Sequence, residues 1–310
     1  MNTIGVDIGG TKIAAAVVTP EGRILNEARY PTQAVPPDRL IETIARAITE
    51  VKDGFEVGGV CVAVPGLILA SENKVIFAPN LHEIEDIRLD EEIGRRTGLP
   101  VTVENDANAA AWGEFRFGAG RGVEHMIFIT LGTGVGGGVI THGVLLRGAQ
   151  GAGGELGHVT IDPDGPRCGC GNHGCLEALA SGTAIRRLAR EVANERPNSA
   201  LGRLAVERQV LGEDVTRLAQ EGDEVSISVL EETGRWLGIG LAGLVNTFNP
   251  ELITVGGGAS RAGEWILEPA RKEVQLRARS PSRDLVETKE ATLGPESGVL
   301  GAAALAPGAL

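Results

Sequence analysis

Apolar positions in the first part of the chain follow two different periods. In the opening segment NTIGVDIGGTKIAAAVVTPEGRILNEARYP, apolar runs are separated by Gly9-Gly10 and Glu21-Gly22, which predicts three strands joined by turns. From Pro37 to Val51 the apolar residues recur at helical spacing. They are Leu40, Ile41, Ile44, Ala47 and Ile48. We therefore expect a β-rich start that leads into an amphipathic helix.

Two further segments extend this α/β pattern. VGGVCVAVPG is typical of a buried strand that ends in a proline-glycine turn, with Cys61 as a core residue. LPVTVENDANAAAWGEF predicts a strand that ends at Asn105 and passes into a helix. Residues 1–117 are therefore predicted to form a small α/β lobe.

A second lobe is predicted to begin with the glycine-rich hairpin of HMIFITLGTGVGGGVITHGVLL. Its ITLGTGVGGGVI partly repeats VDIGGTKIAAAVV from the opening segment, which indicates a duplicated architecture. A long helix over 223–247 and the strand of ELITVGGGAS follow. We predict a large lobe over 118–296 and a C-terminal helix in 297–310 that packs on the first lobe.

Composition and charge narrow the class of protein. The chain has 310 residues, 42% of them hydrophobic and 23% charged, as in ordinary globular proteins. Its net charge of −12 argues against a nucleic-acid or anionic-membrane partner. A membrane-spanning helix needs about 20 apolar residues in a row, and none is present. A strand pattern starts at Thr3 and leaves no room for a signal peptide, so we expect a cytoplasmic protein with reduced thiols.

The glycine-rich hairpins are candidates for binding phosphate. GTGVGG matches the G-x-G-x-x-G fingerprint, but a strand pattern follows it where a dinucleotide site requires a helix. The DIGGTK and LGTGVGG turns could instead present backbone N–H groups to a polyphosphate, although each alone could be an ordinary turn. Asp7 would suit a metal ion or its water shell. The candidate nucleotide-binding residues are Asp7, Gly9, Gly10, Thr11, Lys12, Gly132, Thr133, Gly134, Gly257 and Gly258.

Asp106 is the candidate catalytic residue. It lies where the predicted strand passes into a helix, and the positive end of a helix favours an ionised carboxylate. Such a carboxylate could accept the proton of an attacking hydroxyl group. An aspartate at this position could equally serve as a helix N-cap. The residues alone leave both interpretations open.

Two neighbouring motifs suggest a sugar site and a metal site. In GAGGELGHVT, Glu155 and His158 are three residues apart and could face the same way, with polar groups suited to hydroxyls. CGCGNHGC contributes Cys168, Cys170 and Cys175, a thiolate set that suits tetrahedral zinc. The spacing leaves His158 and His173 as alternatives for a fourth ligand.

These motifs together resemble the ROK family of repressors, open-reading-frame kinases and sugar kinases. The matching segments are IGVDIGGTKIAAAVV, VENDANAAAWGE, LGTGVGGGVI, GGELGH and CGCGNHGCLEALASG, and they extend over nearly the whole chain. The resemblance implies a two-lobed, actin-like ATPase fold of the ribonuclease H type, with the active site in the cleft between the lobes. It also implies ATP-dependent phosphorylation of glucose to glucose 6-phosphate, with Mg²⁺ and a structural Zn²⁺. A homodimer or homotetramer is expected on the same grounds.

The resemblance also assigns roles to residues. It makes Asp106 the general base and favours His158 as the fourth zinc ligand. The implied hexose-binding residues are Gly66, Asn80, Asn105, Asp106, Glu155, His158 and Glu177. A kinase for mannose, fructose or N-acetylmannosamine would share the same motifs, and polyphosphate could replace ATP as donor. A sugar-sensing repressor is a further alternative, but its usual DNA-binding segment would precede a hairpin that here starts near Met1.

Overall fold

The computed structural model describes residues 1–32, 36–69, 72–78, 81 and 84–309. These residues form two compact units. The first contains Met1–Glu124, Gly138–Gly154 and Thr292–Leu310, and the second contains His125–Gly137 and Glu155–Ala291. The sequence-based lobes, 1–117 with 297–310 and 118–296, have other boundaries than these compact units, and they stay a prediction.

The first unit is built on a five-stranded sheet. Its strands are β1 (Thr3–Ile8), β2 (Lys12–Val18), β3 (Ile24–Pro31), β4 (Val60–Val64) and β7 (Val101–Asn105). They lie in the order β3-β2-β1-β4-β7, with antiparallel pairing from β1 to β3 and parallel pairing from β1 through β4 to β7. A small hairpin is formed by β5 (Leu67–Leu69) and β6 (Lys74–Phe77). The predicted opening strands are thus confirmed, and Cys61 is a buried residue of β4, as expected.

Helices cover this sheet on both sides. They are α1 (Pro37–Lys52), α2 (Leu89–Thr97), α3 (Asp106–Phe117) and α11 (Ser297–Leu305). The predicted residues of α1 are buried in an aliphatic core with β1, β2 and β4. The C-terminal helix α11 packs on β2 through Val299, Leu300 and Ala303. A Cβ atom at Gly301 would lie 1.7 Å from the carbonyl oxygen of Ala109, so only glycine permits α11 to approach α3 this closely.

A second five-stranded sheet has the order β10-β9-β8-β11-β12. Its strands are β8 (Met126–Leu131), β9 (Val135–Thr141), β10 (Val144–Leu145), β11 (Leu252–Gly256) and β12 (Glu287–Glu290). The strands β8, β11 and β12 pair in parallel, and the division between the units falls within β9. The predicted glycine hairpin and the strand in ELITVGGGAS are both confirmed.

The second unit is otherwise helical. Its helices are α4 (Leu176–Ala180), α5 (Gly182–Glu195), α6 (Ala200–Glu207), α7 (Gly212–Gln220), α8 (Glu224–Phe248), α9 (Glu264–Arg277) and α10 (Ser282–Leu285). The predicted long helix is confirmed as α8, which begins at an N-cap where the Asp223 side chain accepts from Ser226 N. No helix among the described residues is both long enough and apolar enough to cross a membrane.

Candidate active site

The start of α3 holds the candidate catalytic residue. Asn105, the last residue of β7, is the N-cap, because its Oδ1 accepts a hydrogen bond from Asn108 N at 3.0 Å. Asp106 is the first residue of the helix, and its Oδ1 accepts from Ala107 N at 2.9 Å. Capping is therefore the role of Asn105. The N-cap interpretation of Asp106 is wrong, and its carboxylate lies at the positive end of the helix.

Asn105 also ties this helix start to a neighbouring turn. Its Nδ2 donates to the carbonyl oxygen of Gly66 at 3.0 Å. Gly66 has a φ of 117°, and a Cβ atom there would lie 2.0 Å from the carbonyl oxygen of Phe77, so the turn requires glycine. The structure thus brings together three of the predicted hexose-binding residues, Gly66, Asn105 and Asp106. The predicted Asn80 lies outside the described residues.

Asp7 lies near Asp106 in the first unit. Burial, with a smaller contribution from the negative charge of Asp106, raises the pKa of Asp7 to about 6, while Lys12 opposes the shift. Asp7 accepts no hydrogen bond from the residues that the structure describes. A half-buried carboxylate held beside a second carboxylate is suited to a cation or a proton.

The turn between β1 and β2 follows Asp7. Gly9 N donates to Lys12 O at 2.9 Å, and Thr32 Oγ1 donates to Gly9 O at 2.7 Å, so the turn is held from two sides. Gly10 has an ordinary φ, and a Cβ atom there would meet nothing within 4 Å. The fold itself does not require glycine at this position. Thr11 completes the turn and accepts from Thr32 N at 3.0 Å through its carbonyl oxygen.

The corresponding turn of the second unit, Gly132 to Gly134, is fixed to the helices α4 and α5. Gly182 N donates to Gly132 O at 2.9 Å, and Thr183 Oγ1 donates to Thr133 O at 2.7 Å. A Cβ atom at Gly134 would lie 2.2 Å from Glu177 Oε2, whereas one at Gly132 would meet nothing within 4 Å.

A cavity of about 550 Å³ in the second unit opens beside this turn. Three of the predicted nucleotide-binding residues line it, namely Gly132, Thr133 and Gly258. Gly257, the residue before Gly258, has a φ of 90°, and a Cβ atom there would lie 2.5 Å from Leu131 O.

Sequence reasoning missed the polar residues of this cavity. They are Arg186, Glu213, Thr216, Arg217, Gln220 and Arg261. They come from α5, α7 and the 3₁₀ segment Gly258–Ala262, which share no sequence motif. No signal in the sequence could have grouped them.

Three cysteines and one histidine form a compact cluster in the second unit. The ligand atoms of His158, Cys168, Cys170 and Cys175 all lie within 4.8 Å of one another. Cys168 Sγ is 3.7 Å from His158 Nδ1, and Cys170 Sγ is 3.7 Å from Cys175 Sγ. His173 is exposed, and its Nδ1 lies 3.2 Å from Gly165 O. Of the two histidines that spacing left open, His158 is therefore the one that the fold places with the thiols.

Tight turns bring these cysteines together. Gly171 and Gly174 have φ values of 98° and 62°, and a Cβ atom at Gly174 would lie 1.4 Å from Asp162 O. Cys175 then forms the N-cap position of α4. The glycines of CGCGNHGC thus allow a loop that closes on itself.

The remaining predicted hexose-binding residues lie next to this cluster. Glu155 precedes the 3₁₀ turn Leu156–His158, and its Oε2 is 4.0 Å from His158 Nε2. Burial raises the pKa of Glu155, while His158 opposes the shift. Glu177 Oε1 accepts from Cys168 Sγ at 3.4 Å, and its Oε2 accepts from Val135 N at 3.1 Å. Glu177 therefore links the cysteine cluster to the glycine turn.

Comparison with known proteins identifies the class to which this fold and these residues belong. The chain belongs to the ROK family, whose family model matches residues 3–309. It is 42% identical to a glucokinase of Streptomyces coelicolor, over 98% of this chain and 97% of the relative.

Solved structures give the same result. A ROK family glucokinase from Streptomyces griseus, in complex with glucose and AMPPNP, matches with a TM-score of 0.86 and 42% identity over 99% of both chains. A ROK hexokinase from Thermus thermophilus matches with a TM-score of 0.83 and 36% identity, over 99% of this chain and 98% of that one. The predicted α/β fold class and family are confirmed.

Proposed function

We propose that the chain transfers the γ-phosphoryl group of ATP to the 6-hydroxyl group of glucose and so forms glucose 6-phosphate. One observation carries the proposal. Asn105 supplies the cap of α3 and Asp106 is the first residue at the positive end of that helix, in a chain 42% identical to a glucokinase over nearly its whole length.

Asp106 acts as the general base in this reaction. The positive end of α3 favours its ionised form, and the attacking 6-hydroxyl oxygen must lose its proton as it bonds to phosphorus. The hydrogen bonds of Asn105 to Asn108 N and Gly66 O fix the backbone that carries Asp106. The proposed ligands of the hexose hydroxyls are Gly66, Asn105, Glu155, His158 and Glu177.

Asp7 fits a magnesium ion that accompanies the nucleotide. Its carboxylate is half-buried and accepts no hydrogen bond from the described residues, so its oxygen lone pairs are available to a hard cation or its waters. When bound, Mg²⁺ neutralises the charge that develops on the transferred phosphoryl group.

The cavity of the second unit is the proposed nucleotide site. Gly10, Gly132 and Gly258 have ordinary φ values and open space where a Cβ atom would stand, so packing does not explain why they are glycines. A phosphate group that approaches the backbone closely does explain it. Arg186, Arg217 and Arg261 add positive charge to the cavity of an otherwise acidic protein. Thr133 adds a hydroxyl donor. Thr11, Lys12, Gly9, Gly134 and Gly257 complete the proposed set.

The cysteine cluster fits a structural zinc ion. Three thiols and one imidazole are a common donor set for tetrahedral zinc, and their ligand atoms already converge. A zinc ion there would hold the segments that carry Glu155 and Glu177. We expect Cys170→Ala to lose zinc, measured by mass spectrometry, and most of the glucose affinity, while nucleotide titration stays unchanged. A zinc-free variant with the parent turnover and KM for glucose would contradict this role.

A coupled assay across a panel of hexoses tests the function, with ATP and polyphosphate as alternative donors. We expect glucose and ATP to give the highest kcat/KM. A higher kcat/KM with another hexose would make that hexose the proposed substrate. Phosphorylation with polyphosphate but not with ATP would make polyphosphate the proposed donor. The absence of phosphoryl transfer with every pair would refute a sugar kinase.

A further inference from the structure

Glu104 is a buried carboxylate that the proposed reaction does not use. It immediately precedes Asn105 in β7, and it is 6% exposed. Its Oε1 accepts from Asn105 N and from Asn108 Nδ2, both at 3.1 Å. Its Oε2 accepts from Arg147 Nε at 2.6 Å. The carboxylate therefore contacts the backbone of the helix start and a side chain 43 residues away.

Arg147 begins a glycine-rich segment, 147–154, that contains no helix or strand. Gly148, Gly151 and Gly154 all have positive φ values, and Gly153 N donates to Arg147 O at 2.9 Å. Among the described residues, the bond to Glu104 is the only hydrogen bond that connects this segment to residues outside it. The next residue in the chain is Glu155, a proposed hexose ligand. Arg147 thus anchors the segment that leads to Glu155.

Stability alone is a poor reason for such a pair. Removing two charges from water costs about as much as their attraction returns, and apolar residues of similar volume often stabilise a fold equally well. The Glu104 side chain is 7% exposed and that of Arg147 is 38% exposed. Unlike apolar packing, the ion pair fixes the orientation of both side chains, because each carboxylate oxygen must meet its own donor.

Asn108 shows how strongly this carboxylate orients its neighbours. Since an ionised carboxylate only accepts hydrogen bonds, Asn108 must turn its Nδ2 group toward Glu104. Its Oδ1 is consequently buried without a partner among the described residues. An unsatisfied buried oxygen costs stability. The fold accepts this cost at Asn108, while the hydrogen bonds that hold Asn105 and Glu104 in place are all formed.

We propose that Glu104 and Arg147 are a positioning pair for the hexose, and this inference rests on the proposed function. The pair orients the Asn105 backbone, which leads directly to Asp106, and it anchors the segment before Glu155. Its loss displaces proposed sugar ligands without touching the proposed nucleotide cavity.

The test compares Arg147→Met, Arg147→Lys and Glu104→Gln with the parent. Calorimetry measures the Kd for the hexose selected by the panel, kinetics measure kcat and the KM for ATP, and a thermal melt reports folding. We expect Arg147→Met to raise the hexose Kd about tenfold or more, as misplaced groups do, with the KM for ATP changed less than about twofold. Arg147→Lys keeps the charge and should recover part of the affinity.

In Glu104→Gln an NH₂ group replaces one carboxylate oxygen. Because both oxygens accept hydrogen bonds, at least one of the three donors then faces another donor, and the variant should resemble Arg147→Met. The double variant should be no worse than the poorer single one, because the two residues act through one contact. Arg277→Met is the matched control, since Arg277 Nε is 2.5 Å from Glu273, whose side chain is 12% exposed, in α9. It should lower the melting temperature at most.

Variants that fold, melt earlier and bind hexose as tightly as the parent would overturn the proposal and leave the pair with a merely structural role. A failure of the proposed function is distinguishable, because it appears in the parent protein as absent phosphoryl transfer. The positioning role is measured only as a difference in hexose binding between variants and parent.

Discussion

The two ends of α3 carry carboxylates in opposite states. At the C-terminal end, Glu114 is fully buried, with 0% exposure. Its Oε1 accepts from Leu293 N at 2.7 Å, and its Oε2 accepts from Ala119 N at 3.0 Å and from the N–H and hydroxyl groups of Thr292. These donors belong to the segments where the chain leaves the first unit and returns to it. Glu114 is saturated with hydrogen bonds and serves structure.

At the N-terminal end, Asp106 is only half-buried, and its negative charge adds to burial in raising the pKa of the neighbouring Asp7. Asn105 has taken over the capping role here. The two carboxylates thus differ in burial and in the donors around them: Glu114 is enclosed by donors from two segments, whereas Asp106 is half-buried at the positive end of the helix.

The strongest test of this contrast is Asp106→Asn. The amide has nearly the shape of the carboxylate but cannot accept the hydroxyl proton, so kcat should fall by about 10² to 10⁴ while glucose binding stays close to the parent. Steady-state kinetics and calorimetry on one preparation check both. Normal binding together with a near-parent kcat would show that Asp106 is not the base.

Glu114→Gln should do the opposite. An amide NH₂ in place of either oxygen faces an N–H group, so the variant should lose about 2–4 kcal/mol of stability and melt several degrees lower, while kcat below the melting range changes little. Glu42→Gln, on the exposed face of α1, is the matched control and should change stability by at most about 0.5 kcal/mol. If Glu114→Gln lost activity at an unchanged melting temperature, the assignment of a purely structural role to Glu114 would be wrong.

The smallest effect is expected from Asp7→Asn in the absence of nucleotide and divalent ions. The pKa of Asp7 is raised from 3.8 to about 6 in the folded protein, so the unfolded chain ionises first, and stability falls as the pH rises from about 4 through 6. Above that range the ionised group destabilises the fold. The variant should therefore melt higher than the parent at pH 8 and equally at pH 4. A constant difference across this range would exclude titration of Asp7 as the cause.

The sequence determined much of this protein by itself. The strand and helix order, the passage from β7 into α3 at Asn105 and Asp106, and the concentration of thiols between Cys168 and Cys175 are all readable from local pattern. Secondary structure depends on periodicities within a few residues, and the five segments that carry the family resemblance are each short.

Only the tertiary structure decided which distant side chains meet. Spacing left His158 and His173 equal as partners of the thiols, and the loop that folds back on Asp162 placed His158 among them. Arg186, Arg217 and Arg261 come from three separate elements and share one cavity. Glu104 and Arg147 meet across 43 residues. Such contacts depend on how whole elements pack, because packing brings together side chains whose distance along the chain carries no periodic signal.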